Sequence, residues 1–431
     1  MSSAASENVA DMFSRLPEEI LSHILSLMPT KFAVQTSVLS KRWRYSWMFV
    51  TNIDFDDSHD HHFNGDTFTI VADQLEKTCK TFQLNLFRLH LFNTRVHRSG
   101  VSNWIDKAVR LNVHELDIGI NKLQLPLSVF TSKTLTKLRI SRKSCHYMDW
   151  KCPSFVNLPC LKTLDIAGHR SSIVNVFKLI DGCPVLESLS LEVTRHTNKK
   201  DYMFNIPTLK RLKLTYRSCT NNVINKVVLR VPNLEYLLVS GVLCSYFVME
   251  DVSSLSRVLI TCGESTFNHL WVNLLNMIRG VQNLSIQNFP FTTSLPIFPN
   301  MKHLELKGYL QARLIPQFLR RCPKLKSLCI DAVSKKHEEG CWIKPKLVPA
   351  CMLTNLTTIK FSNCNGQKSE VEFLEYMLGN AVVLKTATIT CNCLTKEEEK
   401  WLCAVLSWLP RASGLCKIHF QSSKLSSSAG I

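Results

Sequence analysis

The chain has 431 residues, 45% of them hydrophobic, and carries 52 Lys+Arg against 34 Asp+Glu, a formal net charge of +18. That is long for one compact core, so a multi-part or repeat architecture is expected, and the apolar fraction excludes a disordered chain. Residues 1–10 lack both the basic start and the apolar core of a signal peptide, and no apolar run approaches the roughly 18 residues that span a bilayer. An intracellular protein, nuclear or cytoplasmic, with no membrane partner is therefore expected.

Residues 16–49 read as three short helices. Pro17 suits a first helical position, and Glu18 and Glu19 follow where the helix dipole favours negative charge. Leu21, Ile24, Leu25 and Met28 form one apolar stripe, which Pro29 closes. A second helix is expected from Ala33 to Leu39, and a basic, aromatic third from Lys41 to Phe49. Three such helices cannot bury all their apolar surface. Leu16, Pro17, Ile24, Leu25, Pro29, Val38, Leu39, Trp43 and Trp47 are the candidates for a docking patch.

The runs Leu16-Pro17-Glu18-Glu19-Ile20-Leu21, Leu27-Met28-Pro29-Thr30-Lys31 and Ser37-Val38-Leu39-Ser40-Lys41-Arg42-Trp43-Arg44 resemble an F-box in its plant form. The resemblance implies docking on the Skp-type adaptor of a cullin-based ubiquitin ligase. Phe32 stands where the family usually has an acidic capping residue, with Thr30 as the substitute cap, and Ser46 replaces a usual leucine.

Residues 52–66 place His59, His61 and His62 among aspartates. An EF-hand loop starting at Asp54 would need Gly where His59 stands, so a solvated loop is expected and no metal. Seventeen cysteines in a reducing compartment read as buried thiols. The closest pair, Cys391-x-Cys393, is tighter than the spacing of structural zinc sites, and no cofactor is implied.

From Val113 onward one pattern returns: apolar, two spacers, apolar, one spacer, apolar. Val113/Leu116/Ile118 is its first copy and Leu384/Ala387/Ile389 its twelfth, with starts 20 to 31 residues apart, near the period of leucine-rich repeats. Each copy reads as a short strand with a return segment, helical at 174–184 and 314–323, and stacked copies supply the core. The Cys-Pro and Pro-x-Leu starts of these strands (Cys183-Pro184, Pro207, Pro232, Cys322-Pro323) resemble the irregular repeats of plant F-box proteins. The C-terminal part, with residues 371–389, the charged helix 396–413 and Cys416-x-Ile418-x-Phe420, resembles the FBD module. There Asn363-Cys364 replaces a usual Gly-Phe.

The expected fold is α/β: a three-helix F-box at 10–50, a linker and the start of the solenoid at 51–110, leucine-rich repeats at 111–345 forming an irregular horseshoe solenoid, the FBD module and last repeats at 346–421, and a disordered tail at 422–431. Strand residues that alternate with the inner apolar ones face outward. On that basis Lys137, Arg139, Arg211, Lys213, Tyr236, His303, Glu305 and Lys307 are candidate target contacts. Between Lys133 and Arg230 there are 18 Lys+Arg against 6 Asp+Glu, a local net of +12, which would steer an acidic partner. The expected function is a non-catalytic substrate receptor of a Skp–cullin–F-box ligase, the partners being the adaptor, through it a cullin, and an unidentified target protein, with an acidic one suited to the basic stretch. The alternative is a repeat scaffold outside any ligase. Nucleic acid is disfavoured because no stacking aromatics interleave the basic residues. An enzyme is disfavoured because no cysteine has a local His/Asp arrangement and no phosphate-binding loop or HExxH occurs.

Overall fold

In the computed structural model the described residues are 16–57, 83–91, 98–120, 125–141, 152–167, 173–193, 201–216, 225–263, 268–288, 295–308, 314–332, 344–391 and 394–422. His59, His61, His62, Cys393 and the tail beyond Ser422 lie outside them. The chain divides into two compact units, residues 1–196 and 197–431, each described on its own.

The first unit begins with α1 (Glu18–Ser26), α2 (Thr30–Gln35) and α3 (Trp43–Ser46), with 3-10 turns at Thr36–Val38 and Trp47–Phe49. Pro17 and Pro29 sit one place earlier than a first helical position, as the extended N-caps of α1 and α2. The second helix starts at Thr30, three residues before the expected Ala33. Leu21, Leu25, Ala33 and Trp43 fill the small core. Arg42 donates to the Leu16 carbonyl and pairs with Glu18 at 3.6 Å, tying the residues that lead into α1 to the third helix.

Strands β1 (Asn52–Asp56), β2 (Leu86–Leu91), β3 (Glu115–Ile120), β4 (Lys137–Ser141), β5 (Thr163–Ile166) and β6 (Ser188–Val193) follow, all parallel and in register in chain order. Two returns are helical, α4 (Arg98–Arg110) and α5 (Ile173–Asp181). In α4, Val101, Trp104, Ile105 and Ala108 recur at helical spacing and are all buried. Hydroxyls fasten the helical module to the first strand. The Thr51 N–H donates to Ser26 Oγ at 2.9 Å, and the Asp54 N–H donates to Thr30 Oγ1 at 2.8 Å. Thr30 therefore stitches α2 to β1 and makes no side-chain cap on its own helix.

In the second unit, β8 (Arg211–Tyr216), β10 (Tyr236–Gly241), β12 (Arg257–Cys262), β13 (Asn283–Gln287), β14 (His303–Gly308), β15 (Ser327–Ala332), β16 (Thr358–Ser362), β17 (Thr386–Cys391) and β18 (Lys417–Ser422) form a parallel sheet in that order. Its first returns are themselves strands: β7 (Tyr202–Asn205), β9 (Asn225–Arg230) and β11 (Ser245–Asp251) make a second, three-stranded parallel sheet. Later returns are helical: α6 (Asn268–Met277), α7 (Ile315–Arg321), α8 (Ala350–Thr354), α9 (Lys368–Asn380) and α10 (Lys396–Trp408). The helix α10 starts with a capping box between Thr395 and Glu398, and α9 with one between Gln367 and Glu370.

All twelve apolar triplets lie on the buried side, from Val113, Leu116 and Ile118 to Leu384, Ala387 and Ile389. Because the strands are in register, each alternate position forms a row of neighbours about 4.8 Å apart on the opposite, open face.

Candidate docking surfaces

The helical module divides the expected patch residues into two sets. Val38 is 85% exposed and Leu39 66%, and Pro17 and Pro29 are also exposed, while Leu16, Ile24 and Trp47 are half-buried. Leu25, at 0%, and Trp43, at 9%, belong to the interior, because the stripe that carries them faces the other helices. Any influence of these two on docking passes through the shape of the module. Five further large hydrophobic side chains are solvent-facing and were not among the expected residues: Leu27 at 72%, Tyr45, Phe32, Ile20 and Phe49. Two of them, Ile20 and Leu27, lie in the quoted motif runs, so their types were legible and only their exposure was not.

On the open face of the first sheet the central row reads Asp54, Arg88, Asp117, Arg139, Asp165 across β1 to β5. The sign alternates at every step. Arg88 binds Asp54 at 2.9 Å and Asp117 at 3.2 Å, and Arg139 lies 3.9 Å from Asp117 and 3.4 Å from Asp165. His90, one position further along β2, reaches Asp117 at 2.8 Å and Asp56 at 3.3 Å, and Lys137 binds Glu115 at 2.9 Å. Burial by itself would raise the Asp117 carboxyl, but the His90 hydrogen bond and the charges of His90, Arg139 and Arg88 hold it below the ordinary value. Burial would lower His90, yet Asp117 and Asp56 together raise it. Asp54 is raised by burial, which outweighs Arg88, and its Oδ1 has no hydrogen-bond partner among the described residues.

Thus Lys137 and Arg139, read from the sequence as anchors for an acidic target, are already paired by their own neighbours. The local excess of positive charge along the sequence does not extend to this face. Its open positions on β1 to β5 hold Asp54, Asp56, Glu115, Asp117 and Asp165 against Arg88, Lys137 and Arg139.

The main sheet of the second unit differs. On β8, β10 and β12 the first open row is Arg211, Tyr236, Arg257 and the next is Lys213, Leu238, Leu259. Arg211, Lys213 and Arg257 are exposed, and among the described residues none of the three makes an ion pair. Further along, Glu305 pairs with Lys307 at 2.9 Å and accepts from Ser285 at 2.7 Å, while His303 is exposed. Burial would raise Glu305, but those two hydrogen bonds hold it below the usual glutamate value. Arg257 and Leu259 were missed as site residues. Their signal was the same alternation that gave Arg211 and Tyr236.

Three family models match the chain in succession: the F-box domain over residues 13–50, the LRR repeats described for FBD-associated F-box protein At5g56370 over residues 101–245, and FBD over residues 344–389. The chain is an F-box/FBD/leucine-rich-repeat protein. Similar proteins from Arabidopsis thaliana carry the same modules in their names. FBD-associated F-box protein At4g10400 is 29% identical over 95% of this chain and 100% of its own length. F-box/LRR-repeat protein At3g59200 is 29% identical over 98% and 90%, and F-box/FBD/LRR-repeat protein At1g78750 is 27% identical over 95% and 96%. The F-box marks the family of ubiquitin-ligase substrate receptors; F-box domains generally bind Skp-type adaptors, and F-box/LRR proteins generally serve as non-catalytic subunits.

The departures from the family pattern have local explanations. Ser46, in place of leucine, is fully buried in the F-box, and its hydroxyl donates to Glu18 at 2.7 Å, so a hydrogen bond fills the place of an apolar contact. Phe32 is 52% exposed, so where a capping carboxylate is usual this F-box presents an apolar ring. Asn363 has a φ of 60°, a left-handed conformation that glycine adopts freely and asparagine tolerates, which is why it can stand where the FBD pattern has Gly. Cys364 behind it is fully buried in the place of the usual Phe.

Of the twelve described cysteines, nine are buried, and burial pushes Cys183 and Cys322 up to about 12, so both stay protonated at neutral pH. Among the described residues no group of His, Cys, Asp and Glu is arranged to hold a metal ion, and no helix is long and apolar enough to cross a membrane.

Proposed function

We propose that this F-box/FBD/leucine-rich-repeat protein is the substrate receptor of a Skp–cullin–F-box ubiquitin ligase. In this reading the F-box docks on the Skp-type adaptor and through it on a cullin, and the open face of the repeats holds a target protein for ubiquitin transfer. The observation that carries the reading is the set of large apolar side chains the F-box leaves in solvent, with Val38, Leu27 and Leu39 the most exposed. A helical module of this size gains nothing in its own stability from them, whereas at an interface each anchor contributes strongly.

The test is capture of the full chain by purified Skp-type adaptor, beside its Val38→Asp/Leu39→Asp variant. Both substituted positions are exposed, so the melting temperature should hold while capture falls at least about tenfold. Undiminished capture by the variant would place docking elsewhere, and no capture of the parent chain would favour the scaffold outside any ligase. Trp43→Ala is a poor probe of docking, because the buried indole leaves a cavity that costs about 3–5 kcal/mol of the module's stability.

A further inference from the structure

The open face of β8, β10 and β12 combines three features found together nowhere else on the described open faces. It carries no carboxylate: its outward side chains are Arg211, Lys213, Thr215, Tyr236, Leu238, Ser240, Arg257, Leu259 and Thr261. Its three cations are exposed and lack ion pairs among the described residues, and Arg257 reaches Glu305 only as a distant charge. Its centre is apolar, since Leu238 and Leu259 are direct neighbours in register, both half-buried, beside a Tyr236 ring flanked in its own row by Arg211 and Arg257. Two unpaired arginines astride a tyrosine favour a carboxylate in the same plane, and adjacent leucines favour an apolar or aromatic side chain.

We propose that this face, within the receptor reading above, is the target-binding site, and that it takes an acidic segment of a protein carrying an aromatic or large apolar residue among its carboxylates. Charge complementarity selects the partner: unpaired cations attract carboxylates without first breaking internal pairs, whereas Lys137 and Arg139 would have to release Glu115, Asp117 and Asp165. The leucines at the centre set this face apart from a nucleic-acid groove, which would need a run of stacking aromatics where only Tyr236 stands.

The experiment uses the full chain and three immobilised probes: the random copolymer poly(Glu,Tyr), poly(Glu) and poly(U) RNA. The parent chain is compared with Arg211→Glu/Lys213→Glu/Arg257→Glu and with a charge-matched control, Lys324→Glu/Lys326→Glu/Lys385→Glu, whose lysines are exposed outside the patch. The expected result is binding of poly(Glu,Tyr) in preference to poly(Glu) and poly(U), weakened about tenfold or more further in the patch variant than in the control. Equal weakening in both variants, no preference for poly(Glu,Tyr), no binding at all, or tighter binding of poly(U) would each overturn the proposal. Adaptor capture run on the same samples separates the two ideas. Captured protein that ignores poly(Glu,Tyr) sinks only the site, while parent protein that the adaptor does not hold sinks the receptor reading.

Discussion

Two open faces of one repeat protein treat charge in opposite ways. Across β1 to β5 five ionic residues stand in a single row with alternating sign, each within reach of the next. Across β8 to β12 the row at the same place in the repeat is Lys213, Leu238, Leu259, and the row before it is Arg211, Tyr236, Arg257, with an aromatic ring where a carboxylate would complete the alternation. The geometry explains why both are tolerated. In a parallel sheet with matched register every residue meets its row neighbour at about 4.8 Å, where like charges repel, so adjacent ionic residues must alternate. Placing a tyrosine between two arginines doubles their separation to roughly 10 Å, near the screening length of physiological salt, and removes the need for a counter-ion. The first arrangement uses charge to hold strands together; the second leaves charge available.

The contrast can be broken most directly at Asp117, which His90 and Arg88 both bind and whose side chain is only 10% exposed. Asp117→Ala should lower the stability of the first unit by about 3 kcal/mol in urea denaturation, because it leaves cationic and polar groups half-buried and unpaired. A loss below about 1 kcal/mol would mean the row is ornamental. A pH series gives a smaller, signed effect. The His90 value is raised in the fold, so its contribution is complete below its ordinary 6.5 and disappears as pH rises through the folded value. The Asp117 value is depressed, so its contribution is complete above its ordinary 3.8 and is lost on further acidification. The melting temperature should therefore fall as pH rises above 6.5, and His90→Gln should flatten that limb alone. The smallest effect belongs to the other face. Arg211→Ala or Arg257→Ala should change stability by no more than about 0.5 kcal/mol, and a larger loss would reveal a structural partner for the cation.

Much of this architecture was legible because its signal is local. The triplet spacing located twelve strands, and the same spacing in Val50/Ile53/Phe55 and Leu84/Phe87/Leu89 marks β1 and β2, which pair in the same register within the segment read as linker and start of the solenoid. The strand returns β7, β9 and β11 were not foreseen, because a return segment is defined by what it packs on and its own pattern is short. The charge row was invisible for a different reason. Asp54, Arg88, Asp117, Arg139 and Asp165 are spaced 22 to 34 residues apart, so counting net charge along a window sees a basic stretch where the fold builds neutral pairs. Likewise a helical stripe shows that Leu25 and Val38 are apolar, but only packing shows that one is core and the other surface.

The hydroxyls of Ser26 and Thr30 have a mechanical consequence. They accept the backbone N–H groups of Thr51 and Asp54, and only Val50, itself buried, separates the last turn of the helical module from that seam. No swivel is left between the two pieces. Whatever grips Val38 and Leu39 also fixes the compass heading of strands β1 to β6, so the first repeats are aimed by the handle and do not search for their bearing by thermal tumbling.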